Sequence, residues 1–325
     1  MSDVASGTIP DTKPKSQRWT RAAGALTAVF TFVGLVIMLW VLAQLPNEFS
    51  GVRTETWVWA APAVVLAGLT YVGSAISLRG AVIPPLPLAR TTELQLAEAF
   101  TSVATPDGVG SVALNNRFLG HFGVKPATAV GAFTLSSLAS GIVGVTAAAI
   151  AGALSASQFS LTSASHQTNW WLILAAVLVV ALIVGVVVWI GRIHRRVVPP
   201  VARAFHDLVA VLRRPRRAAS LFGGEIFYTA VEAGTLVAVL HMLDVRAPIA
   251  VAVVLVVTAS GVGSAVPIPG AMGAPEALVV AGLAAAGVDR VNAVAAAASY
   301  RLLTYWLPTI PGALAARNLK RHGLL

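Results

Sequence analysis

Residues 264–276 read Ser-Ala-Val-Pro-Ile-Pro-Gly-Ala-Met-Gly-Ala-Pro-Glu, with long apolar sequence on both sides. Pro267, Pro269 and Pro275, together with Gly270 and Gly273, leave no room for a continuous helix. Each internal proline deletes a backbone hydrogen bond, and its ring collides with the preceding turn. In hydrocarbon the freed N–H and C=O groups find no water, so such a break must be buried in protein or line a wet cavity.

The surroundings are hydrocarbon by composition. The chain is 57% hydrophobic and only 11% charged, with a mean hydropathy of +0.79, whereas soluble chains carry about 25% charge. It reads as an all-α polytopic membrane protein. Zero cysteines exclude disulfides and thiolate chemistry, and the six histidines are scattered without metal-ligand spacing. Neither a metal nor a cofactor is expected.

A net charge of +10 raises nucleic acid as a partner, but the charge is misplaced for that. Eight arginines fall between Arg192 and Arg217, opposed only by Asp207 and flanked by apolar spans. This is the signature of a cytoplasmic loop under the positive-inside rule. It would bind anionic headgroups at about 1 kcal/mol per basic residue near the surface.

The break has a second copy. Pro106, Gly108 and Gly110 in Thr-Pro-Asp-Gly-Val-Gly align with the Ile-Pro-Gly-Ala-Met-Gly of residues 268–273, so that Pro106 matches Pro269 and Gly110 matches Gly273. Gly123-Val124 then matches Gly287-Val288. Paired Pro/Gly interruptions in two halves point to a transporter-type site at a repeat interface. The expected domains are a disordered cytoplasmic tail (1–20), a first membrane repeat (21–191), the basic loop (192–217) and a second membrane repeat (218–325).

Taken in order, apolar spans are expected at residues 22–45, 57–78, 127–154, 172–190, 221–243, 249–260 and 291–316. Each is read against the ~20 residues that cross a bilayer core. Trp57, Trp59, Trp170 and Trp171 mark interfaces, and residues 197–212 read as a helix lying in the interface. Residues 93–125 are too polar for a lipid-facing span and too apolar for a loop, which fits a re-entrant hairpin; residues 264–287 form the second. About seven spans and two re-entrant elements in the plasma (inner) membrane put the N-terminus in the cytoplasm and the C-terminus outside. Arg317, Lys320, Arg321 and His322 argue for the opposite side for the C-terminus.

Charged residues inside these spans are the candidate site. Glu225 and Glu232 are seven residues apart and share a helical face. Glu225 is read as an interfacial residue beside the arginines. Glu232 lies deeper and is read as functional, since a charge at mid-membrane costs about 2.5–3.5 kcal/mol. Glu276 opens a helix, where a carboxylate is also a favourable cap. Arg301 lies deep in the last span and needs a partner, Glu276 first and Glu232 next.

Three segments resemble a known family. They are Pro-Asp-Gly-Val-Gly-Ser (106–111) with Ala-Leu-Asn-Asn-Arg-Phe-Leu (113–119), then Pro-Ile-Pro-Gly-Ala-Met-Gly-Ala-Pro-Glu (267–276), then Tyr-Arg-Leu-Leu-Thr-Tyr-Trp-Leu-Pro (300–308). Together with Glu232-Ala233 they look like the integral-membrane region of lysylphosphatidylglycerol synthase and its stand-alone flippase-like relatives, over about residues 20–320. The resemblance implies a two-repeat bundle with paired re-entrant helices that moves a phospholipid between leaflets. It implies Glu232, Glu276, Tyr300, Arg301, Asn115 and Arg117 as substrate-binding residues and no catalytic ones. Ser111 and Ala113 stand where many relatives carry more polar residues. No soluble sequence follows Leu325, so the chain is expected to lack the aminoacyl-transferase domain and to rely on a separate lipid-modifying enzyme.

The expected function is a lipid flippase or scramblase for an anionic or polyprenyl-linked lipid. Helix N-termini at the breaks would meet the headgroup, and Arg301 would give it charge-assisted bonds. No Gly-x-x-x-x-Gly-Lys-Ser/Thr loop is present, so ATP binding through that motif is not expected. The alternatives are a small-solute or ion transporter, and an integral-membrane glycosyltransferase or lipid-modifying enzyme using Glu48 or Glu55.

Overall fold

A computed structural model describes residues 57–104, 109–159, 213–265 and 273–325, and no strand occurs among them. A 3-10 turn at Trp57–Trp59 leads into α1 (Ala60–Ala81). It is followed by α2 (Leu88–Ala104), α3 (Val109–His121) and α4 (Pro126–Phe159). The second half has α5 (Pro215–Met242), α6 (Ile249–Ala265), α7 (Ala274–Ala285) and α8 (Arg290–Arg301). A π-helical turn, Leu302–Trp306, joins α8 to α9 (Thr309–Arg321). The expected spans at 22–45 and 172–190, the tail and the interfacial helix at 197–212 lie outside the described residues.

Three helices are long and apolar enough to cross a membrane: Ala60–Ala81, Pro126–Gly152 within α4, and Pro215–Met242. At 1.5 Å per residue the 22 residues of α1 reach about 33 Å, enough for the hydrocarbon core. Their surroundings differ. In α5, 56% of the most apolar window is buried, against 33% in α1 and 22% in α4. The α5 helix is therefore the central one. The exposed side of α4 carries Val130, Phe133, Leu138, Ile142 and Val145, a helically spaced apolar stripe.

The α1–α5 contact is the most extensive among the described residues, and small residues make it. A Cβ added at Gly224 would strike the backbone of Gly73 and Ser77, and one at Gly80 would strike that of Leu221 and Arg217. Backbones approach this closely only where side chains are absent, the usual device for helix pairing in lipid. Here α5 begins at Pro215, six residues before the expected Leu221, because Pro215 sits in its first turn, where the missing N–H costs nothing.

Among the described residues, the last helix of each half crosses to the other half. The α4 helix packs on α6, with Gly144 against Val257, and α9 packs on α2, with Gly312 against Leu96 and Phe100. Leu319 of α9 is fully buried beside Leu78, Leu94 and Phe118, while Leu236, Leu255, Leu283 and Ala296 build a second core. The expected continuous span at 291–316 is divided in the structure by the π-helical turn into α8 and α9.

The turns after α3 and α7 are alike. Val124 N–H donates to Leu119 and Val288 N–H to Leu283, with Gly123 (φ 76°) and Gly287 (φ 87°) in the left-handed region that glycine tolerates. The aligned glycines of the two breaks differ: Gly273 (φ 92°) is the N-cap of α7, whereas Gly110 lies within α3.

Candidate functional site

Glu276 stands in the first turn of α7, and its Oε2 accepts the backbone N–H of Gly273 at 2.9 Å. Its Oε1 lies 2.8 Å from Nε of Arg301 on α8. The carboxylate is thus both a cap and an ion-pair partner. Arg301 in turn lies over the ring of Tyr305, 4.0 Å from guanidinium carbon to centroid, a cation–π contact. Both charged side chains are largely shielded, 17% and 27% exposed for Arg301 and Glu276.

Next to this pair, α5 presents Glu232, which is buried. Its Oε1 accepts the Tyr300 hydroxyl at 3.1 Å and the Ser260 hydroxyl at 3.3 Å, and the Tyr228 hydroxyl also bonds to it. Arg301 acts on Glu232 through space. Tyr71 of α1 closes the cluster, its hydroxyl 3.4 Å from the Thr304 carbonyl in the π-helical turn. A π-helical turn frees backbone groups from the regular ladder, and here one of them meets a side chain.

The chain has four tyrosines, and all four (Tyr71, Tyr228, Tyr300 and Tyr305) belong to this one cluster. Tyr71, Tyr228 and Ser260 were not singled out from sequence. The signal was available, because a phenol inside an apolar span needs a hydrogen-bond partner.

The six expected substrate-binding residues divide. Glu232, Glu276, Tyr300 and Arg301 come together. Asn115 instead donates to Glu98 of α2 and to the Ser111 carbonyl at 3.2 Å. Arg117 is exposed and lines a cleft with α9. Of the break residues, Gly110 and Gly273 are described, while Pro106, Gly108, Pro267, Pro269 and Gly270 lie outside the described residues.

Glu225, expected at the interface beside the arginines, is shielded by neighbouring helices. It is buried, its Oε1 accepting the Ser77 hydroxyl of α1 at 2.5 Å and its carboxylate also bonded by Ser140 of α4. The glycine-lined α1–α5 contact brings the Ser77 hydroxyl within reach and the α4–α5 contact that of Ser140, so neutral donors satisfy the buried carboxylate. No group of three or more His, Cys, Asp or Glu able to hold a metal occurs among the described residues.

Long apolar helices around a shielded polar cluster define a multi-pass α-helical membrane protein. The family of the lysylphosphatidylglycerol synthase TM region matches residues 23–312, and the chain belongs to that family, which ties it to lipid handling. No curated protein matches the chain.

Proposed function

We propose that the protein is a lipid translocator for an anionic or polyprenyl-linked lipid, with its headgroup site at Glu276, Arg301, Tyr300 and Glu232. The observation that carries this is the shielded Glu276–Arg301 pair at the N-terminus of α7. A phosphate competing for Arg301 would gain charge-assisted hydrogen bonds and the positive end of α7, while displacing Glu276. The acyl or polyprenyl tail would stay in the bilayer.

In this reading the two halves are repeats, each with a broken, re-entrant pair of helices. The similar turns after α3 and α7 and the reciprocal α4–α6 and α9–α2 contacts support it. So do the lengths. The 17 residues of α2 and of α6 reach about 26 Å, and the 13 and 12 residues of α3 and α7 about 20 Å or less, short of a ~30 Å core. The protein would sit in the plasma membrane with its N-terminus cytoplasmic and the basic loop on anionic headgroups. It would carry out no chemistry itself, acting beside a separate lipid-modifying enzyme.

The test is translocation in proteoliposomes carrying fluorescent phosphatidylglycerol or a polyprenyl-phosphate analogue, with Glu276→Gln alongside. Movement that the variant loses supports the reading. Folded protein that moves neither lipid overturns it and turns attention to solute transport or lipid modification.

A further inference from the structure

A cleft of about 510 Å³ lies between α3 and α9, lined by none of Glu232, Glu276, Tyr300 and Arg301. Arg117 of α3 and Arg317 and Lys320 of α9 line it with Ala113, Leu114, Ala316 and the last residue, Leu325, and no Asp or Glu side chain lines it among the described residues. All three cations are exposed, and none forms a salt bridge among the described residues. Such a concentration of one charge sign raises the local concentration of anions.

The apolar neighbours narrow the class of anion. On α9, Ile310 and Leu314 are 66% and 64% exposed and lead at helical spacing toward Arg317. On α3, Val112 and Ala113 are exposed beside the cleft. A soluble phosphate would use the cations and leave this stripe uncovered. A glycerophospholipid would place its phosphate among the cations and its chains along Ile310 and Leu314.

We infer that the α3–α9 cleft is a binding site for the headgroup of an anionic glycerophospholipid, distinct from the Glu276–Arg301 site. Binding here requires no transport, so this site and the translocation reading can fail separately. Near-surface basic residues each add to the attraction for anionic lipid, so removing three together gives a readable loss.

The full chain is purified in detergent, and its retention of phosphatidylglycerol and phosphatidylcholine is measured by native mass spectrometry. The comparison is R117Q/R317Q/K320Q against R246Q/R290Q, two exposed arginines in the turn before α6 and at the start of α8. The expected result is at least a tenfold loss of phosphatidylglycerol retention in the cleft variant, little change in the R246Q/R290Q variant, and unchanged phosphatidylcholine. Equal loss in both variants, or no loss in the cleft variant, overturns the site. Competition by soluble glycerophosphoglycerol as effective as by the lipid itself overturns the assignment to lipid. Should the triple variant fail to fold, Arg317→Glu alone reads the same change.

Discussion

Nε of Arg301 lies 2.8 Å from one carboxylate oxygen of Glu276, whose other oxygen holds the Gly273 N–H at 2.9 Å. Capping and ion pairing are therefore one arrangement rather than competing roles. Any anion that draws Arg301 away also removes a restraint on Glu276 at the start of α7. That coupling connects the position of Arg301 to the geometry at the start of α7.

Glu276→Gln and Arg301→Ala should each lower lipid translocation at least tenfold, with Arg213→Ala within twofold of the parent. Hydrogen bonds to charged groups contribute about 1.5–3 kcal/mol, and about 1.4 kcal/mol is a factor of ten. Initial rates in proteoliposomes, normalised to folded protein, decide it. Parental rates in both variants would remove this pair from the site.

The Tyr300–Glu232 bond joins α8 to the central helix α5 and should register as energetic coupling. A double-mutant cycle of Tyr300→Phe and Glu232→Gln should show about 1–2 kcal/mol of interaction in detergent unfolding. Additive losses would mean that the hydroxyl and the carboxylate are stabilised independently.

The helical membrane class, the start of α7 beside Pro275 and Glu276, and the Glu276–Arg301 pair were legible in the sequence. Each follows from a local rule: proline ends helices, and a deep arginine needs a carboxylate. Glu225 was not legible, because its partners Ser77 and Ser140 lie far away in sequence and are brought to it by the α1–α5 and α4–α5 contacts. The division of residues 291–316 escaped for a similar reason. Pro308 and Pro311 signalled a perturbation, but only the fit of Gly312 against Leu96 shows that α9 belongs with the first half's core. Asn115 and Arg117 were grouped with the site by resemblance alone, and tertiary packing sends them elsewhere.

Adjacent glycines test the α1–α5 contact. Gly223 faces open space, whereas Gly224 abuts the backbone of Ser77. Gly223→Ala should leave the melting temperature unchanged or slightly higher, since alanine favours the helix. Gly224→Ala should destabilise by about 1–3 kcal/mol, the usual cost of overpacking, and should disturb Glu225 as well. Equal melting temperatures for the two variants would mean that the contact is looser than the structure shows.

Tyr305 separates stability from function. Its hydroxyl is buried without a hydrogen-bond partner among the described residues, while its ring supports Arg301. An unsatisfied buried polar group costs about 1–3 kcal/mol, so Tyr305→Phe should raise the melting temperature while keeping the ring over the guanidinium. If the hydroxyl serves the headgroup, the same variant should translocate lipid more slowly despite being more stable. Tyr305→Leu should lose the cation–π contact too, at about 0.5–2 kcal/mol, and lower both quantities. A Tyr305→Phe variant that is more stable and fully active would restrict this residue to holding Arg301. One that is less stable would show that the hydroxyl has a partner outside the described residues.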